Sequence, residues 1–260
     1  MNISKVLYYI VPGFYTFRTR IYPEGFRGFK FHSYGYFITI FPLIVMHIYN
    51  VIHYLLLLVI GFLQLYMVYE IFYVINDFIS VKHEDAPTYR SINISININF
   101  FYILRITMLL LSIEVSLFLK HPYTFDAICT LITLSLIEII YNNKKMKLAR
   151  IPTHAALRCL RFSYPSLYAI GLKYLPSMII ALFPFIILDE ISYYSHIMRK
   201  LYPAFNTPIP KIPLYYRLLE FLPFQLLLLF ALDTPYFISG VLGILFISII
   251  KKFLDRRTHV

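Results

Sequence analysis

Asp77, Glu84, Asp189 and Glu190 are the residues of this chain best suited to metal-assisted chemistry. Glu70 stands seven positions before Asp77, two turns earlier on a helix, so the two carboxylates share a face. Ser80 and Glu84 follow at one-turn steps and extend the same stripe. Carboxylate oxygens are hard ligands suited to Mg²⁺, and Mg²⁺ in turn bridges the oxygens of a diphosphate. Lys82 and Arg90 lie close by to take the remaining phosphate charge, the arginine in bidentate fashion. The plain alternative is a set of solvated carboxylates at the end of a membrane helix, joined to Lys82 and Arg90 in a loop ion network.

A second group follows at 184–200, PFIILDEISYYSHIMRK. Asp189 and Glu190 emerge from an apolar run, with Tyr193 one helical turn beyond Asp189 and Lys200 further on. Two acidic groups on one membrane side can hold two metals and one diphosphate. The loop at 142–161 carries the cationic complement. Arg158 and Arg161 stand three apart in an apolar setting, so they share a face and are the better phosphate ligands. Tyr141 and Asn142 offer hydrogen bonds to polar substrate groups. Glu138, Arg105 and Glu114 fall inside apolar runs, where an ionisable group needs a partner or a wet cavity.

These residues must be positioned by membrane helices. Hydrophobic residues make up 59% of the chain and charged residues 14%, against about 25% charged in an ordinary soluble domain. Mean hydropathy is +0.69. A surface this apolar belongs in lipid. The net charge of +11 follows the positive-inside pattern of cationic loops beside membrane spans, and no nucleic-acid-binding signature accompanies it. Cys129 and Cys159 are too few for a disulfide framework and lack metal-ligand spacing.

Hydropathy predicts an all-α, polytopic membrane bundle of about eight transmembrane helices, with nine as the alternative count. The runs are 35–50, 53–79, 97–119, 123–141, 156–171, 174–189, 214–231 and 236–250. An even number of spans returns every long charged loop to the side of the N-terminus. The expected organisation is an interfacial segment at 1–34, a transmembrane catalytic domain at 35–250 and a basic tail at 251–260. Lys5, Arg18, Arg20, Arg27 and Lys30 place the N-terminus on the cytoplasmic side of what is expected to be a bacterial inner membrane. The alternating SINISININF at 91–100 reads as an interfacial lead-in to the third span, because a lone strand cannot live in lipid.

The run Asn76-Asp77-x-x-Ser80-x-x-x-Glu84 resembles the N-D-x-x-D-x-x-x-D motif of the UbiA superfamily of intramembrane prenyltransferases. Its continuation Glu84-Asp85-Ala86-Pro87-Thr88-Tyr89-Arg90 is similar to the branch that transfers phosphoribosyl to polyprenyl phosphate. Ser80 stands where the family has its middle acid, and the second motif is represented by Asp189 and Glu190 alone. The resemblance implies a UbiA-like fold in which Mg²⁺ sits on Asp77, Glu84, Asp189 and Glu190, with Asp77 and Asp189 central to catalysis. It implies substrate contacts from Asn76, Lys82, Arg90, Tyr141, Arg158, Arg161, Tyr193 and Lys200.

The implied activity is Mg²⁺-dependent transfer of a phosphoribosyl or related glycosyl group from a diphosphate donor to a polyprenyl phosphate, as in cell-envelope polysaccharide synthesis. Its partners are a polyprenyl lipid and a diphosphate-bearing small molecule, with no nucleic acid. One alternative is a prenyltransferase with a prenyl diphosphate donor. Another is a membrane transporter or a non-catalytic membrane subunit.

Overall fold

A computed structural model describes residues 3–23, 26–79, 96–143, 149–183, 186–187, 194, 235 and 238. All regular structure among them is helical. The chain opens with α1 (Ile3–Ile10), a turn, and the short α2 (Phe14–Thr16), which runs on as a π turn over Phe17–Ile21. Next come α3 (Phe26–Met46), α4 (Val51–Val74) with a π turn over Ile75–Ile79, α5 (Ile98–Phe118) and α6 (Thr124–Asn142). Then α7 (Arg150–Ile170) leads into the shorter apolar helix α8 (Leu172–Phe183).

Three helices are long and apolar enough to cross a membrane, which marks the chain as membrane-associated: Ile48–Ile79, Ile98–Phe118 and Thr124–Asn142. They coincide with the second, third and fourth expected spans. Each turns large apolar side chains outward, such as Leu56 on α4, Leu110 on α5 and Leu136 on α6, all more than half exposed.

The expected bundle of eight or nine spans is corrected to these three among the described residues. The apolar part of α3 runs only from Gly35 to Met46, which lacks the length to cross, and the sixth expected span is described only through α8 and at 186–187. The fifth expected span is α7, which carries Arg150, His154, Arg158 and Arg161 in its first half. The seventh and eighth expected spans, at 214–250, lie outside the described residues apart from 235 and 238.

The second half of α7 is the centre of the bundle. Every residue from Phe162 to Ile170 is buried, against α3, α4 and α6. Several of its polar groups are met by those neighbours. The Thr39 hydroxyl donates to the Phe162 carbonyl at 2.7 Å, and the Ser166 hydroxyl donates to the Thr39 carbonyl at 3.0 Å. Tyr164 donates to Gln64 Oε1 at 2.7 Å, and Tyr69 of α4 donates to the Leu157 carbonyl at 2.9 Å. Such cross-helix bonds and small residues are how helices pack in lipid, where hydrophobicity alone gives no drive to associate. Gly61 is the contact point of α4 on α7: a Cβ there would stand 2.9 Å from the Pro165 Cα.

Local signals set the helix ends. The Asn97 side chain caps α5 by accepting from the Phe100 N–H at 3.1 Å, so the alternating stretch before it gives way to helix at Ile98. Gly171 ends α7 at φ 86°, a left-handed geometry that costs glycine little. The next backbone N–H, of Leu172, donates to Asp126 of α6 at 3.0 Å.

Candidate functional site

Glu70 and Asp77 do share a buried side of α4 and its π turn, at 0% and 4% exposure. That side is covered by the N-terminal segment. Glu70 Oε2 receives Arg105 of α5 through Nη2 at 2.7 Å and Nε at 2.9 Å. Glu70 Oε1 accepts from the Thr16 backbone N–H at 3.1 Å. Arg105 is itself fully buried. It donates to the carbonyls of Tyr8 at 3.0 Å, Tyr9 at 2.7 Å and Val11 at 3.1 Å. These carbonyls lie at and just past the C-terminal end of α1, where a cation is favoured. One guanidinium thus fixes α1 to α4 and α5.

Asp77 is held in the same manner. Its Oδ1 receives Arg20 Nη2 at 2.6 Å and its Oδ2 receives the Tyr15 hydroxyl at 2.7 Å. Tyr15 is fully buried, and burial first, then the Asp77 charge, push its phenol well above its usual range. It therefore remains a proton donor to Asp77 at every physiological pH. The N-terminal helix packs against the bundle, with Tyr8, Tyr15 and Phe101 forming a buried aromatic cluster beside Val74.

The fit of Mg²⁺ can be judged on these contacts. Both Asp77 oxygens are engaged, one by a cation, and both Glu70 oxygens are engaged as well. Among the described residues no three His, Cys, Asp or Glu side chains gather as a metal set. Glu70 and Asp77 turn their oxygens to the chain itself and do not, as a pair, fit the divalent ion in this arrangement. Ser80, Lys82, Glu84, Arg90, Asp189, Glu190, Tyr193 and Lys200 lie outside the described residues. Asn76 is half-buried on the π turn beside Asp77.

A second polar region lies along the first half of α7. Arg161 lays its guanidinium over Tyr69 at 4.2 Å from the ring centre and reaches Tyr73 at 5.5 Å. Arg20 lies over the same Tyr73 ring at 4.6 Å. Two guanidiniums therefore attend one tyrosine, and through Arg20 this region adjoins Asp77. Arg158 donates through Nε to His154 at 3.2 Å, and His154 stacks on Tyr141 at 6.0 Å. Glu138, buried on α6, accepts from Asn142 at 3.2 Å and feels the charge of Arg20. His32 of α3 faces this cluster too. Burial first, then the charges of Arg161 and Arg158, push its imidazole down to about 3. It is neutral at physiological pH.

The structure keeps Arg158 and Arg161 on one side of α7, as their spacing suggested, and adds Tyr141 there through His154. It joins Asp77 to that side through Arg20, a contact that spacing could not supply. Sequence reasoning also missed Tyr15, Thr16 and Arg20 as partners of the α4 acids. One signal was available for Arg105: it is the lone cation of α5 and Glu70 the lone acid of α4, in adjacent antiparallel helices. Glu114 stays exposed.

A groove of about 430 Å³ opens between the N-terminal segment and α4, lined by Val11, Phe14, Phe17, Ile21, Phe62 and Tyr66 among others. Its walls are almost wholly apolar. Comparison with known protein families, with curated proteins and with solved structures finds no match for this chain.

Proposed function

We propose that this chain is a non-catalytic membrane subunit, in which the intramembrane carboxylates hold the bundle together. The observation that carries this reading is the full engagement of Asp77, by Arg20 at 2.6 Å and Tyr15 at 2.7 Å. A carboxylate that must grip a metal-bound diphosphate needs at least one oxygen turned to the ligand. Both Asp77 oxygens are turned to the chain itself, as are those of Glu70. A subunit is favoured over a transporter because α7 runs unbroken through Pro165, from Arg150 to Ile170, where a transport path commonly uses a broken helix. On the charge pattern of the N-terminus and tail, both termini face the cytoplasm of a bacterial inner membrane.

A second reading is the Mg²⁺-dependent transferase. It draws support from the Asn76-Asp77 motif together with Arg161 and Arg20, which attend the same Tyr73 ring. One experiment separates the two. The purified chain in lipid nanodiscs is given Mg²⁺ with phosphoribosyl diphosphate or a prenyl diphosphate, and diphosphate release is measured. The subunit reading expects no Mg²⁺-dependent release, and a D77N variant that is less stable. Release by the natural chain that D77N abolishes would overturn it in favour of the transferase.

A further inference from the structure

Arg161 presents a fork with no acceptor. Its Nε and Nη2 are buried and make no hydrogen bond among the described residues, and Nη1 of Arg20 is in the same state. Nε and Nη2 form the side-on edge of a guanidinium, two parallel N–H groups whose spacing matches two oxygens of one phosphate. A buried charged donor left unsatisfied is costly, so such an edge in a stable fold calls for an acceptor. A second guanidinium, that of Arg20, lies over the neighbouring Tyr73 ring at 4.6 Å.

The rest of the argument lies on one face of α4. Phe62, Tyr66, Tyr69 and Tyr73 recur at helical spacing and form a continuous aromatic stripe. Phe62 and Tyr66 are stacked with ring centres 6.5 Å apart, and Tyr69 and Tyr73 are 5.6 Å apart. At one end, Phe62 and Tyr66 line the open apolar groove. At the other, Tyr69 and Tyr73 carry Arg161 and Arg20. An apolar groove and a pair of phosphate-matching donors therefore stand along a single stripe, two turns apart.

We infer that this stripe binds one anionic phospholipid of the surrounding bilayer, its phosphate on Arg161 and Arg20 and an acyl chain in the groove. A membrane protein meets that amphiphile at high local concentration, and its two halves match the two halves of the stripe in polarity and order. The binding needs no catalytic activity and stands apart from the subunit reading.

The test is native mass spectrometry of the full chain released from nanodiscs of phosphatidylcholine with phosphatidylglycerol. The natural chain is expected to retain one phosphatidylglycerol in preference to phosphatidylcholine by about tenfold or more, the scale of one charge-assisted bidentate contact. R161Q is expected to abolish the preference. R161K, which keeps the charge but loses the fork, is expected to lower it and serves if R161Q fails to fold. L63W, which fills the groove and leaves both arginines intact, is expected to lower retention of the lipid without affecting protection by inorganic phosphate. Equal retention of both lipids by the natural chain would overturn the proposal. So would thermal stabilisation by inorganic phosphate alone with L63W and R161Q unchanged in lipid retention, which would reveal a free-phosphate site instead.

Discussion

Arg105 and Arg161 are the same residue type, the first fully buried and the second partly so, and their surroundings are opposite. Arg105 meets a carboxylate and three backbone carbonyls, and the pair with Glu70 has 0% exposure on either side. Arg161 rests on two tyrosine faces with its Nε and Nη2 unmatched. A charge buried in a membrane bundle is either part of the fold or a request for something outside it. The N-terminal lock is the first case and the α7 seam the second. Removing one of these arginines should therefore harm the fold, and removing the other should relieve it.

The sharpest way to break that contrast is Arg105→Met. It strands Glu70 without its cation and strips three carbonyls of their donor. The expected loss is about 3–5 kcal/mol, the usual cost of removing one partner of a buried pair. It is read from unfolding in a denaturing detergent titration. The double variant E70M/R105M should recover much of that loss, because no orphaned charge remains. A single variant as stable as the natural chain would show that the N-terminal segment is not held by this pair.

Asp77→Asn comes next. The Arg20 side chain is 11% exposed, so its stranded charge can reach water more easily than that of Arg105. A loss of about 2 kcal/mol is expected, with Tyr15→Phe costing about 1 kcal/mol for the single hydrogen bond. Both variants should raise amide exchange in α1 and α2 before any change in α6. Uniform exchange across the chain would mean that Asp77 supports more than the N-terminal segment.

Arg161→Leu tests the other side of the comparison. In a detergent without anionic lipid it should leave stability unchanged or raise it by about 1 kcal/mol, since a guanidinium with unmatched donors is replaced by a shorter apolar side chain. With phosphatidylglycerol present, the natural chain should gain stability and the variant should not. A large loss in both conditions would place Arg161 among the residues that hold the fold.

How much of this was readable beforehand follows from the same physics. The three long spans were legible because each is long, mostly apolar and turns large apolar side chains outward. The first expected span was set too long, since 35–50 runs past His47, where α3 has ended and a short turn leads into α4. The role of α7 was hidden because the residues around Ser163, Tyr164 and Ser166 are covered by other helices, and apolar runs look alike whether lipid or protein covers them. For the site, a three-residue spacing put Arg158 and Arg161 on one face correctly. The spacing of Glu70 and Asp77 also gave their common side, but not what it faces. That depends on Tyr15, Thr16 and Arg20 folding back from far up the chain, and no local period encodes such a contact. A carboxylate poised for a metal and one locked to an arginine have the same sequence.

The smallest expected effect concerns His32, which shares the α7 seam with Arg158 and Arg161. Its imidazole is held at about 3 in the folded chain, against about 6.5 when unfolded. Between those values the unfolded chain binds a proton that the folded chain refuses, so stability rises with pH in that window and falls as pH drops below about 6.5. From pH 7.5 to 5.5 the loss should be about 1 kcal/mol, read as the difference in detergent-unfolding midpoint between the natural chain and H32N. The variant should lack this part of the slope. A slope that H32N leaves intact would place its source at another group.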